Sequence, residues 1–427
     1  MDVESRNVNA GVRSVAEAEP KMRTTAMLRR IAIAGPGLLV MLADTDAGNV
    51  VTGAQAGAQW GYRFLPLLLA LMLMLYMVQE LTVQLGMYTG RGHGELIRDR
   101  FGIGWALLST AGLAVATLAS LVTEFTGVAG IGELYGVSRG LSLPLATLAL
   151  IGVVTTGSYR RVERAAVFIG LFELAFFGVA WAAKPSLAAM AKDAVDLPFN
   201  NHEFLYMGAA IIGAVFNPWM IFYQQSAVVD KRLMPNDITV ARWDTALGAV
   251  LTQCMTGAVL IAGAALPASN TASIGLDSIG AISKTLTPLL GRSVGRLVFG
   301  AGVLGASIVA AIVCSLALAW GIGEVAGYRR SLETRPFEAK WFNGLYATGV
   351  AGAATLVWFV PDLIWLNIAT QVLNAFLLPL VIGLLIVLAM KALPEQLRPR
   401  GVYLWVLIGI SAVVTSAGLL GGIVGLL

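Results

Sequence analysis

Residues 35–62 read GPGLLVMLADTDAGNVVTGAQAGAQWGY. The segment opens as an apolar helix of the kind that enters a bilayer. Midway it meets Asp44, Thr45, Asp46, Ala47, Gly48 and Asn49, and then it turns apolar and small again. A carboxylate near the centre of a membrane helix costs about 3 kcal/mol even on insertion scales. Interrupted backbone at that depth survives only where it lines a cavity enclosed by protein. Two acids and an amide beside a glycine therefore read as half of a cation site, and the rest of the chain has to supply the other half.

Composition sets the class. Of 427 residues, 57% are hydrophobic and only 13% charged, with a mean hydropathy of +0.77. Soluble domains carry about 25% charged residues, so a multi-span protein embedded in a lipid bilayer is expected. The 48 glycines suit close helix–helix contact in lipid. Residues 1–30 are polar and lack the apolar core of a cleavable signal peptide, and they read as a cytoplasmic segment. Cys254 and Cys314 lie in apolar runs without metal-type spacing and read as buried free thiols.

Apolar runs of about 20 residues mark spans. Eleven are found, near 31–54, 64–87, 104–131, 141–158, 164–184, 204–229, 244–267, 294–324, 341–360, 363–390 and 401–425. With the N-terminus in the cytoplasm, 22 of the 29 Lys and Arg fall on the inner side and seven on the outer. The positive-inside rule therefore places the N-terminus inside and the C-terminus outside a bacterial-type plasma membrane. The basic clusters at 160–164 and 329–335 read as topology and lipid contacts, not nucleic-acid binding.

The sixth span reads MGAAIIGAVFNPWMIFYQQSAVVD, with Asn217, Pro218 and Trp219 at its middle. Proline removes a backbone donor and interrupts the helical ladder. Spans one and six are the first members of two five-span halves. Interrupted helices at matching positions point to a transporter built from inverted repeats, with its site at the midplane. The expected division is 31–200 for the first repeat, 201–392 for the second and 393–427 for an additional helix. A path lying within one bundle is expected to work as a monomer.

At these segments the chain resembles the Nramp family of divalent-metal transporters. The family's first-span motif DPGN stands here as Asp46-Ala47-Gly48-Asn49, and LGMYTGRGHGEL, TEFTGVAG with Glu124, YRRVERA at 159–165 and TQVLNAFLLPL with Gln371 are also similar. The resemblance covers most of residues 31–390. It implies an all-α, leucine-transporter-type fold, no enzymatic activity and no cofactor, with the metal as cargo. Carried over by position, the ligands would be the Asp46 carboxylate, the Asn49 amide, the Ala43 carbonyl, the Ala214 carbonyl and the side chain at 217, with Gln371 approaching in an occluded state.

The departures from the family pattern carry as much chemistry. The family's MPH motif, whose thioether favours softer transition metals, reads Asn217-Pro218-Trp219. Oxygen donors suit Mg²⁺, Ca²⁺ or Mn²⁺, and Mg²⁺ keeps several waters while binding one or two carboxylates. The family's two sixth-span histidines are Trp219 and Gln224, the acid three positions before Glu124 is Leu121, and span nine lacks arginine. His93 and His202 fall in loops. Proton relays need chains of titratable groups, so the expectation is uncoupled Mg²⁺ uptake, with Mn²⁺ as a lesser substrate. The pattern is similar to the Nramp-related magnesium transporters. The runner-up is a proton-coupled Mn²⁺/Fe²⁺ transporter.

Several residues keep two readings. Asp44 either faces a polar neighbour or contacts the ion directly or through water. Trp219 either walls a cavity or packs at the break, and Gln224 is a candidate for the cavity. Thr45 and Thr52 either donate to unwound carbonyls or bond their own backbone. Glu80 and Glu173, inside spans two and five, are expected to be paired within the bundle, Glu124 to be a structural acid, and Met220 to pack. An amino-acid carrier of this fold is disfavoured because Asp44 and Asp46 would repel a substrate carboxylate. A membrane aspartyl protease is disfavoured because no GxGD-type loop is present.

Overall fold

A computed structural model describes residues 35–155, 158–265, 292–328, 331, 338–360 and 362–426. The described residues are all-helical, without a strand. The N-terminal segment 1–30, the end of the seventh span and most of the 329–335 basic cluster lie outside them.

Pro36 occupies the first turn of α1 (Pro36–Asp44), where its missing N–H is no loss. The helix ends at Asp44. Thr45 and Asp46 leave helical geometry, and α2 (Ala47–Trp60) restarts with Asp46 as its N-cap. The order continues through α3 (Leu65–Thr89), α4 (His93–Phe101), α5 (Ile103–Leu134) and α6 (Arg139–Val154). Span five is α7 (Tyr159–Gly170), a 3₁₀ turn (Leu171–Leu174) and α8 (Ala175–Ala182), followed by the short α9 (Leu187–Asp193).

The second half opens with α10 (His202–Val215), N-capped by Asn201, whose side chain accepts from the Phe204 N–H at 3.1 Å. Here too the helix breaks. Pro218 cannot donate into the ladder, so Phe216 and Asn217 are non-helical and α11 (Pro218–Asp230) begins at the proline. Then come α12 (Ile238–Ala264), α13 (Arg292–Ala326), α14 (Lys340–Phe359), α15 (Leu363–Ala392) and α16 (Gly401–Leu426).

Helix covers at least part of each of the eleven segments expected as spans. Among the described helices, eight are long and apolar enough to cross a membrane on those criteria alone. The other three segments are the broken α1–α2, the 16-residue α6 and the 20-residue α14.

The even-numbered connections meet at one end of the bundle. Lys231 pairs with Glu163 at 2.8 Å, the Gly94 N–H donates to Glu324 at 2.8 Å, and Arg98 donates to the Val325 carbonyl. At the other end Arg63 pairs with Asp196 at 2.6 Å and Arg139 donates to the Val360 carbonyl. Close crossings use glycine where a side chain would strike backbone: Gly263 of α12 lies against the Ala54 carbonyl of α2, and Gly213 of α10 against the Gln371 backbone of α15.

Candidate metal centre

The two breaks face one another in the interior. Asp44, Asp46 and Asn217 are almost wholly buried, at 0%, 0% and 2% exposure. Four helix ends meet here. The C-termini of α1 and α10 bring carbonyls without helical partners, which favour a cation, while the N-termini of α2 and α11 need acceptors. Asp46 supplies one by accepting from the Asn49 N–H at 2.6 Å. Glu124 of α5 supplies another, accepting from the Ala47 N–H at 3.2 Å. Glu124 is therefore a partnered acid, also bonded by Thr123 at 3.2 Å.

Each residue expected at the site has a definite place. The Asn49 amide donates to the Asp44 carbonyl at 3.0 Å, which turns its own carbonyl oxygen the other way. Ala43 lies in the last turn of α1. Asn217 donates to the Ala214 carbonyl at 3.0 Å and more weakly, at 3.4 Å, to Asp44. Asn217 Oδ1 accepts from Asn374 at 2.6 Å and from Ser120 at 3.4 Å. In this conformation an ion must displace a donor to use that oxygen. Gln371 lies over the first break, where a methyl on Gly48 would collide with its Nε2. That amine has no acceptor among the described residues.

Asp44 accepts from Thr252 at 3.4 Å as well as from Asn217, so it faces polar neighbours and stands at the break. Trp219 is fully buried and donates to Ser120 at 3.2 Å, which fixes its ring at the break. Gln224 turns away from the acids, donating to Thr245 at 2.9 Å and accepting from Thr82. Thr45 bonds Thr252 at 2.8 Å instead of an unwound carbonyl, and the Thr52 hydroxyl has no partner among the described residues. Met220 is buried packing.

Some side chains departed from expectation or were not anticipated. Asn374, one helical turn after Gln371, ties α15 to Asn217, and spacing of three residues on one helix was the available signal. Nothing local distinguished Thr252 or Ser120. Cys254 is exposed on α12, against expectation, whereas Cys314 is buried and lies within electrostatic reach of Glu124, Asp46 and Asp44. His93 is no ordinary loop residue: it is fully buried, with Nδ1 2.9 Å from Gln225 Oε1 and Phe222 against its ring edge-on. Burial lowers its imidazole pKa to about 4.

The carboxyl of Glu124 stands next to that of Asp46, and Asp46 Oδ2 receives no donor among the described residues. Two acids side by side are relieved by a cation or by a shared proton. No three His, Cys, Asp or Glu side chains among the described residues converge tightly enough to form a metal cage.

Two helices broken at matching positions, with acids and amides turned into the gap, define a membrane transporter of the leucine-transporter type. The natural resistance-associated macrophage protein-like (Nramp) family model matches residues 37–423, and the chain belongs to that family. Its members are metal transporters, not enzymes. The chain is 27% identical over 389 residues to a divalent metal cation transporter MntH of Burkholderia ambifaria, covering 88% of this chain and 85% of the relative. It is 28% identical over 316 residues to the same-named protein of Aeromonas hydrophila, covering 70% and 75%.

The fold is that of the Eremococcus coleocola manganese transporter, with a TM-score of 0.76 at 18% identity over 92% of this chain and 86% of that one. The nucleobase-cation symporter Mhp1 shares it more distantly, with a TM-score of 0.58 at 16% identity, covering 91% of this chain and 90% of that one.

Proposed function

We propose that the chain carries divalent metal cations inward, with Mg²⁺ as the main substrate and Mn²⁺ as a lesser one, without coupling to protons. The observation that carries this reading is the amide at 217, hydrogen-bonded to Asp44, where a thioether would select softer ions. The ligands are Asp46, Asn49 and Asn217 with the Ala43 and Ala214 carbonyls, and Gln371 closes over them. The absence of a tight cage of charged side chains among the described residues supports an ion that keeps part of its water shell. Asp44, bonded to Asn217 at the break, is the group that holds that shell in this reading.

The membrane potential suffices as a driving force, since two charges crossing 100 mV gain about 4.6 kcal/mol. The proposed arrangement is a monomer with its N-terminus in the cytoplasm, repeats over 31–200 and 201–392, and a further helix over 393–427.

A second reading, proton-coupled Mn²⁺ transport, is favoured by the adjacent Asp46 and Glu124 carboxyls. Purified protein in liposomes separates the two. Mg²⁺ should enter while an internal pH dye stays flat, and Asp46→Ala should abolish uptake. Mn²⁺ entry with acidification of the lumen, and no Mg²⁺ flux, decides for the second reading.

A further inference from the structure

Two acids inside spans were expected to be paired within the bundle, and only one is. Glu80 forms an ion pair with Arg242 at 2.6 Å and also accepts from Gln84. Glu173 is fully buried, and neither carboxylate oxygen has a hydrogen-bond partner among the described residues. A carboxylate removed from water without donors is among the costliest groups a bundle can hold.

Its place in the fold is specific. Glu173 lies in the 3₁₀ turn Leu171–Leu174 that interrupts span five, a feature that often marks functional positions. One turn earlier, Gly170 leaves room for contact with α1. A methyl there would lie 3.1 Å from Leu42 Cδ1 and 3.5 Å from Glu173 Oε1. The carboxylate is thereby brought against the last turn of α1, the turn that ends in Asp44. It lies within electrostatic reach of Asp46 and Asp44.

Helix α13 forms the neighbouring wall. Gly305 approaches the Ile169 carbonyl and Phe172. Two residues further on, the Ser307 hydroxyl is buried without a partner beside Ala47 at the start of α2. Unpartnered oxygens thus run from Glu173 on one side to Asp46 Oδ2 on the other. The ion pairs found among the described residues involve other acids. Among the described residues, no Lys or Arg forms an ion pair with Glu173, Asp44 or Asp46.

We propose that Glu173 is a cation-holding group of the transport path, forming with Asp44 a second station for a hydrated divalent cation beside the Asp46–Asn49 station. The inference rests on the reading that the helix breaks pass a divalent cation. Its oxygen-only chemistry favours an ion held through water, as for Mg²⁺. The second station gives the ion a place to wait once it has left Asp46 or before it arrives. It also supplies the partner that the buried Glu173 carboxylate lacks among the described residues.

The test uses the full-length protein and three variants, Glu173→Gln, Glu173→Asp and Asp46→Asn. Mg²⁺ uptake into liposomes gives KM, and Mn²⁺ titration followed by electron paramagnetic resonance gives the number of bound ions. The wild type should bind two ions and Glu173→Gln one, with KM raised about five- to ten-fold. Glu173→Asp keeps the charge and should keep both ions with a smaller rise in KM, so the proposal stays testable if the glutamine variant fails to fold. Unchanged KM and ion number in Glu173→Gln, with Asp46→Asn inactive, overturns this inference alone. Full uptake by Asp46→Asn overturns the site on which it rests. A change confined to the pH dependence of flux, at unchanged KM, makes Glu173 a proton-holding group and also overturns the second station.

Discussion

At residue scale, position 217 joins chemistry to packing. The Asn217 side chain is the hinge of a small amide network: it receives Asn374 and Ser120, and it donates to Ala214 and Asp44. Replacing it by Met removes a hard oxygen, introduces a soft sulfur and releases Asn374. Asn217→Met should therefore shift preference from Mg²⁺ toward Mn²⁺ or Cd²⁺ by about ten-fold, measured by competition uptake in liposomes. Unchanged selectivity would mean that residue 217 does not touch the ion. Legibility at this scale was uneven. Asp46 and Asn217 announced themselves because polar groups beside Gly or Pro are costly inside a span. Thr252 and Ser120 gave no such signal, because a hydroxyl in a membrane helix can satisfy itself on its own backbone. Glu173 was visible as an acid, but its lack of a partner is a property of its neighbours.

Among the elements, the two broken helices are held by contacts too close for any side chain. A Cβ at Gly213 would meet the Gln371 backbone and would lie 2.9 Å from the Ala375 nitrogen. Backbone cannot yield as a flexible side chain can, and overpacking of this kind costs about 1–3 kcal/mol. Gly213→Ala should lower the thermal unfolding midpoint of the purified protein and weaken metal-dependent stabilisation, since α15 carries Gln371. Gly352 of α14 has open space around it. Gly352→Ala should leave the midpoint unchanged or slightly raised, because alanine is the better helix former. Equal effects of the two changes would show that the α10–α15 crossing is not set by this contact. The break at Pro218 was readable from local chemistry alone. The interruption of span five was not, since its residues are ordinary helix formers in an apolar run.

For the whole molecule, one side of the bundle is visibly fastened. The N–H groups of Gly35, Gly37 and Leu38 at the start of α1 all donate to Asp244 Oδ2 of α12, at 3.0, 2.8 and 3.3 Å. The Lys231–Glu163 pair lies beside Gly35. A carboxylate on a helix N-terminus is favourable, and this one joins α1 to α12 across the bundle. Asp244→Ala should free the end of α1 and open the path on that side. A cysteine substituted for Leu39, in a background lacking Cys254 and Cys314, should then react faster with a water-soluble maleimide. An unchanged rate would remove Asp244 from the closure.

Composition and spacing by themselves determined the membrane class and the two interrupted spans, because lipid penalises every polar or helix-breaking residue that has no reason to be there. Tertiary structure alone decided which polar groups face the break. It turned Gln224 away to Thr245, drew in Asn374 and Thr252, buried His93 against Gln225, and left Glu173 within electrostatic reach of two other acids with no donor among the described residues. Those outcomes depend on which helices meet and at what rotation. A one-dimensional pattern leaves that rotation open, because an apolar face satisfies lipid and a neighbouring helix equally well.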